Sequence, residues 1–163
     1  MPIDILKVTA KEDAQKAGKI CAIGLSNFQK QDIDNILASC TVKPVVNQIL
    51  ARATNVPTEL IKYSQDKGML VEAYSPVGHG ELFKNDAIKA MAESYDVSIP
   101  QLCIRYVLQL GLLPLPKTAN PAHMQSNADV DFVISDADMA TLKAMERIKD
   151  YGDASGFPVY QQD

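Results

Sequence analysis

Four short apolar runs alternate with helix-like segments along this chain, and this alternation limits the folds that it can adopt. The runs begin near residues 20, 45, 69 and 112, and a segment with helical features follows each of them. Strands that are covered on both faces have nearly continuous apolar sequences, as these runs do. Alternating strands and helices form parallel sheets with right-handed crossovers. We therefore predict an α/β protein that is built from four βα units.

Capping residues, glycines and prolines predict where the elements begin and end. Thr9 and Glu12 have the spacing of a capping box, which predicts a helix that starts at Thr9. Ser98 and Gln101 predict the start of a later helix in the same way. Pro114 marks the fourth strand as an edge strand or a locally irregular one. Helices are expected at 9–18, 29–39, 58–67, 86–95, 100–111, 120–128 and 135–149, and strands at 20–25, 45–49, 69–74 and 112–115.

Size and charge bound the domain organisation and the partners of the chain. With 163 residues we expect a single domain over 1–163, whose tail at 150–163 is irregular. The formal net charge of −4 argues against a nucleic-acid partner and against an anionic membrane surface. No apolar run approaches the roughly 20 residues of a membrane-spanning helix. We therefore expect neither a nucleic acid nor a membrane as a partner.

The cysteines and histidines argue against a structural metal site. Cys21, Cys40 and Cys103 are widely spaced, and the chain has only two histidines. A structural zinc site needs four such ligands at short, regular spacings, so no metal ligand is assigned. Three widely spaced thiols also fit a reducing compartment, which predicts a cytoplasmic location.

Polar side chains stand where each apolar run ends. They are Ser26 and Asn27 after the first run, Asn47 and Gln48 in the second, Tyr74 and Ser75 in the third, and Lys117 and Thr118 after the fourth. In a parallel βα array these ends share one edge, which is where ligands bind to α/β folds. Amides can hydrogen-bond a carboxamide, an aromatic ring can stack on a flat ring, and a lysine can pair with a phosphate. The set therefore suits a planar, amide-bearing ring that is linked to a phosphate.

Five sequence motifs occur in an order that indicates a family. They are GKICAIGLSNF at 18–28, VNQ at 46–48, AYSPVG at 73–78, LPKTANP at 115–121, and Asn127 followed by Asp131 and Phe132. Together, over about residues 18–149, they resemble the C-terminal half of the NADP(H)-dependent aldo-keto reductases, whose fold is a (β/α)8 barrel. The resemblance implies a parallel (βα)4 half of such a TIM-type barrel. Because a barrel of this kind needs eight strands, we expect a homodimer in which a second copy completes it.

The resemblance implies that residues from the first three strand ends bind the nicotinamide and the pyrophosphate. Ser26, Asn27 and Gln48 would hold the carboxamide of the nicotinamide. Tyr74 would stack on the nicotinamide ring. Three residues that follow Tyr74 would line the pyrophosphate: Ser75, Val77 and Gly78.

The same resemblance implies four residues at the adenosine end of the cofactor. Lys117 and Thr118 would bind the adenosine 2′-phosphate, and Asn127 would contact the adenine. His123 stands beside that phosphate, where many members of the family have an arginine. Because a largely neutral imidazole does not replace a guanidinium fork, NAD(H) stays an alternative to NADP(H) as the cofactor.

The reaction implied by the resemblance is the interconversion of carbonyls and alcohols. The family's catalytic Asp, Tyr, Lys and His come from the first half of its barrel, and none of their motifs is found in this sequence. We therefore assign no catalytic residue, and we expect a small carbonyl substrate only if the missing half is supplied. The alternative is a non-catalytic nucleotide-binding or structural half-barrel. A flavodoxin-like domain is a weaker alternative, because residues 26–28 are too short for a phosphate loop.

Ordinary structural roles are alternatives for several of these residues. Ser26 and Asn27 could cap the helix that follows them. Tyr74 could belong to the core, and Lys117 could be a solvated surface lysine. His79 is expected to be a loop residue and not a ligand.

Overall fold

The computed structural model describes the backbone of residues 3–148 and the side chains of residues 8–148, so the predicted tail at 150–163 lies outside the described residues. The strands are β1 (Gly24–Ser26), β2 (Val46–Leu50), β3 (Leu70–Tyr74) and β4 (Leu113–Leu115). The helices are α1 (Ile3–Lys16), α2 (Lys30–Leu37), α3 (Thr58–Asp66), α4 (Asp86–Ser94), α5 (Ile99–Gln109), α6 (Pro121–Ala128) and α7 (Asp136–Ala144). A short 3-10 segment, Gly78–Lys84, follows β3.

The four strands form one sheet in the order β1-β2-β3-β4. Strand β1 pairs in parallel with β2, with Gly24 opposite Val46 and Ser26 opposite Gln48. The predicted α/β fold with a parallel four-stranded sheet is thereby confirmed. Strand β4 lies at an edge of the sheet, as Pro114 predicted.

Three elements have the predicted boundaries that differ most from the structure. Helix α1 begins at Ile3, so Thr9 lies inside the helix and does not cap it. Strand β1 is shorter than the predicted 20–25 because it begins only at Gly24, and it ends at Ser26, after which Asn27 turns into the left-handed region with φ 59°. Helix α7 ends at Ala144, five residues before the predicted end, because Met145 is extended with ψ 142°.

The described residues fall into two units. The first unit contains the residues up to Ile49 together with Thr58–Glu72, and the second contains Leu50–Pro57 and the residues from Ala73 onwards. Apolar side chains form the core of the first unit, among them Ile23, Leu25, Ile33, Ile36, Leu60, Ile61, Met69 and Val71. The core of the second unit includes Leu82, Ile88, Leu102, Tyr106, Val107, Ile134 and Leu142.

Helix α5 has a capping box at its start and contacts Ile134 through a side chain at its end. The capping box of Ser98 and Gln101 is present as predicted. Near its C-terminus, the side chain of Gln109 accepts from the N–H of Ile134 at 2.7 Å and donates to the carbonyl of Ile134 at 3.0 Å. Cys103, on the same helix, is a core residue, and its burial raises the pKa of the thiol to about 12. Within residues 3–148, no helix combines the length and the apolar character that crossing a bilayer requires.

Glu12 joins α1 to the segment before β2 in the first unit. Its side chain is buried, and its Oε1 accepts the N–H groups of Thr41 at 2.6 Å and Val42 at 2.8 Å. The hydrogen bond from Val42 contributes most to holding the pKa of Glu12 below its ordinary value of 4.5, against the opposing effect of burial. Glu12, which the sequence suggested as part of a capping box, therefore holds a neighbouring backbone segment instead.

We expect Glu12→Gln to lower the thermal stability at neutral pH, because a neutral amide oxygen makes weaker hydrogen bonds to Thr41 and Val42. A carboxyl whose pKa is lowered by folding stabilises the protein above its unfolded pKa, and this contribution is lost as the pH falls through the folded pKa. The difference in Tm between the two proteins should therefore be largest near neutral pH and should shrink below about pH 4. Circular dichroism melting curves at several pH values measure it.

Asp13→Asn is the matched control, because Asp13 is exposed on the same helix and its substitution also removes one negative charge. It should leave the Tm almost unchanged. An equal fall in Tm for both variants would contradict the role given to Glu12.

Candidate functional site

A cleft in the second unit contains most of the residues that the sequence predicted for cofactor binding. Its volume of about 640 Å³ is within the range of small-molecule sites. Eight of the eleven predicted cofactor-binding residues line this cleft: Tyr74, Ser75, Val77, Gly78, Lys117, Thr118, His123 and Asn127. The cleft thus joins the segments that follow β3 and β4 to one face of α6.

The turn after β3 forms one wall of the cleft with left-handed backbone. The φ angles are 51° at Ser75, 63° at Gly78, 53° at His79 and 91° at Gly80. Such angles are costly for a residue that has a Cβ, so surrounding contacts must maintain them. The N–H of Gly78 donates to the carbonyl of Ser75 at 3.0 Å, and Ser75 Oγ lies 3.2 Å from His79 Nε2. A backbone and a side-chain hydrogen bond therefore close this turn.

Gly78 has little space for a side chain. A Cβ at this position would lie 3.1 Å from Leu82 Cγ and 3.6 Å from Cδ of the fully buried Arg52. Backbone angle and space therefore both favour glycine at the base of the turn.

Helix α6 supplies two further polar side chains to the cleft. His123 and Asn127 are four residues apart, so they lie on the same face of the helix, and both line the cleft. Asn120 caps the helix by accepting the N–H of Ala122 at 2.9 Å. Thr118 Oγ1 in turn accepts the N–H of Asn120 at 3.1 Å, which leaves its hydroxyl hydrogen as a donor for a ligand.

The described lining of the cleft carries no carboxylate, and its one lysine is Lys117. Both histidines of the chain, His79 and His123, also line it. A lining with a cation, hydroxyls and amides but no Asp or Glu suits a phosphate-bearing ligand. Ser98 and Ser126 are polar lining residues that were not predicted, and His79, which was expected to be a loop residue and not a ligand, lines the cleft as well. Its position four residues after Ser75, in the loop that follows a strand end, was the signal that could have indicated it.

Ser26 and Gln48 lie in the first unit, where they line a cavity of about 350 Å³ together with Lys11 and Glu72. Gln48 Nε2 donates to Glu72 Oε2 at 3.0 Å. Lys11 Nζ donates to the carbonyl of Gly24 at 3.2 Å.

Asn27 is not among the described lining residues of either cavity. Its N–H donates to the carbonyl of Gln48 at 2.8 Å, and its left-handed φ turns the chain at the end of β1. Among the residues that the structure describes, no group of three His, Cys, Asp or Glu side chains could hold a metal ion.

Residues 7–147 match the model of the aldo/keto reductase family. The chain belongs to this family. It is 35% identical over 139 residues to a glyoxal reductase of Bacillus subtilis, with 85% of this chain and 50% of that protein covered. It is 40% identical over 135 residues to an uncharacterized oxidoreductase of Schizosaccharomyces pombe, with 82% of this chain and 49% of that protein covered.

Solved structures of other aldo-keto reductases agree with the fold of this family member. The Bombyx mori aldo-keto reductase in complex with NADP superimposes with a TM-score of 0.78 at 28% identity, over 93% of this chain and 54% of that one. The chain spans about half the length of the relatives that it matches. The parallel sheet with its helices therefore corresponds to about half of a (β/α)8 barrel, as the motifs indicated.

Proposed function

We propose that this chain binds NADP(H) and supplies the cofactor-binding elements of an aldo-keto reductase that interconverts carbonyls and alcohols. The observation that supports this most strongly is the cleft of about 640 Å³ in the second unit, which eight predicted residues line. NADP is also the molecule bound in the Bombyx mori relative.

At the phosphate end of the cofactor, Lys117 would pair with the 2′-phosphate and Thr118 would donate its hydroxyl hydrogen to it. His123 and Asn127 would contact the same phosphate and the adenine from α6. The turn at Ser75, Val77 and Gly78 would lie along the pyrophosphate, and the absence of carboxylates from the described lining favours such a polyanion.

At the nicotinamide end, Ser26, Asn27 and Gln48 would hydrogen-bond the carboxamide, and Tyr74 would stack on the ring. The half-buried amide of Gln48 and the exposed hydroxyl of Ser26 line the same cavity in the first unit, which supports a shared ligand group. Tyr74 lines the cleft in the second unit.

We infer that this chain by itself binds the cofactor without reducing carbonyls. Carbonyl reduction in this family needs a positioned proton donor, and we assign that role to no residue of this sequence. A complementing chain that carries the family's catalytic Asp, Tyr, Lys and His would restore turnover.

Titration of NADPH fluorescence with the purified chain tests the proposal. We expect saturable binding in the micromolar range and no reduction of a simple aldehyde by the chain alone. If no binding is detected at about 1 mM NADPH, the upper end of usual cofactor affinities, the non-catalytic structural alternative is favoured. Aldehyde turnover that co-purifies with the chain and is lost in Tyr74→Ala would contradict the absence of catalysis.

A further inference from the structure

Glu72 is the acidic residue in the described lining of the first unit's cavity, which Gln48 also lines. It lies on β3, next to β2 in the sheet, and is half-buried. Its Oε2 is 3.0 Å from Gln48 Nε2. Glu72 is therefore in direct contact with a residue to which the proposed function gives a ligand-binding role.

This contact determines which end of the Gln48 amide is available to a ligand. An ionised carboxylate only accepts hydrogen bonds, so the atom of Gln48 that faces Glu72 must be the NH2 nitrogen. A turned amide would place two oxygen acceptors against each other and lose the hydrogen bond. The carbonyl oxygen Oε1 is consequently the acceptor that Gln48 keeps for a bound molecule.

We propose that Glu72 is a positioning residue that holds the Gln48 amide in this orientation and so makes the cavity select a carboxamide over a carboxylate. The inference rests on the proposed function, since it concerns the nicotinamide end of the same cofactor. A carboxamide NH2 can donate to Gln48 Oε1. A carboxylate at the same position can only accept, and it would also meet the negative charge of Glu72.

Lys11 is the charged group that opposes this selection, because it lines the same cavity. Its ammonium group donates to the carbonyl of Gly24 at 3.2 Å. If Lys11 dominated the field in the cavity, a carboxylate would bind better than a carboxamide. Glu72 and Lys11 therefore predict opposite preferences between a carboxamide and a carboxylate, so a binding experiment can distinguish their effects.

The experiment compares two probes that differ only at the pyridine substituent, NADP⁺ and nicotinic acid adenine dinucleotide phosphate. Calorimetric titration of the full chain should show NADP⁺ binding about tenfold or more tightly. In Glu72→Gln the new amide can donate as well as accept, so Gln48 can turn, and the preference should fall to about threefold or less. Glu59→Gln, which removes a charge from an exposed side chain of the same unit, should keep the wild-type preference.

A second measurement needs no cofactor. The side-chain amide signals of Gln48 in a ¹⁵N–¹H spectrum of the unliganded chain should shift in Glu72→Gln and stay in place in Glu59→Gln. The same spectrum reports whether the variant is folded, and unchanged Gln48 signals in folded Glu72→Gln would overturn the positioning role whatever the dinucleotide titration shows.

The outcomes distinguish a failure of the Glu72 inference from a failure of the proposed cofactor binding. Equal binding of both dinucleotides by the wild type, a preference for the acid, or an unchanged preference in Glu72→Gln would overturn this inference and leave the proposed function intact. Failure of the wild type to bind either dinucleotide would overturn both.

Discussion

Replacing Lys117 with methionine is expected to weaken NADPH binding by about 10- to 100-fold, the usual effect of losing a hydrogen bond to a charged group. Lys117 is the lysine of the described cleft lining, and that lining has no carboxylate to offset its charge. The expected loss is selective, because NADH lacks the 2′-phosphate and should bind almost equally to both proteins. Fluorescence titration with both cofactors measures the ratio of the two affinities.

Salt and a surface lysine provide the controls for Lys117. The affinity of the wild type for NADPH should fall with added salt more steeply than that of Lys117→Met. Lys89→Met removes an exposed lysine of the same unit that does not line the cleft, and it should leave both affinities unchanged. Equal losses for NADPH and NADH in Lys117→Met would show that the lysine contacts something other than the 2′-phosphate.

Among the variants proposed, Gly78→Ala should lower the stability of the protein most, and it should also weaken cofactor binding. Alanine at φ 63° costs about 1–2 kcal/mol in backbone energy, and its Cβ would press on Leu82 at 3.1 Å. We expect the free energy of unfolding to fall by about 2 kcal/mol and the Tm by about 6 °C. Denaturant unfolding and NADPH titration on the same preparation would measure both effects.

Gly80→Ala separates the strain from the crowding. Gly80 also has a positive φ, of 91°, but a Cβ there meets no heavy atom within 4 Å among the described residues. Its substitution should therefore cost backbone energy without displacing Leu82. Loss of stability of the same size in both variants would mean that the space at Gly78 is unimportant.

The elements of the fold could be predicted where local chemistry decides the structure. Ser98 and Gln101 form the predicted capping box because their side chains and backbone satisfy each other within one turn. Thr9 and Glu12 have the same spacing, yet Glu12 bonds to Thr41 and Val42, which are about 30 residues away in sequence. Nothing local distinguishes the two cases, because the second depends on a tertiary contact.

Strand ends indicated part of the candidate site, and the resemblance to the aldo-keto reductases supplied His123 and Asn127 on α6. His123 and Asn127 meet in the cleft because they are four residues apart on α6. The contact between Gln48 and Glu72 was not predicted, since it depends on the pairing of neighbouring strands. The cofactor roles of the individual residues, the homodimer and the cytoplasmic location stay predictions.

The left-handed turn at Ser75, Gly78, His79 and Gly80 also limits how this segment can diverge in evolution. Most substitutions there would be opposed by backbone geometry before any effect on a ligand arises. Asparagine and aspartate tolerate the required angles best after glycine, so they are the replacements expected at Ser75 and His79. In a library of random variants, retained sequences should therefore be far less diverse across this turn than on the exposed face of α4, whether or not the selection includes a cofactor.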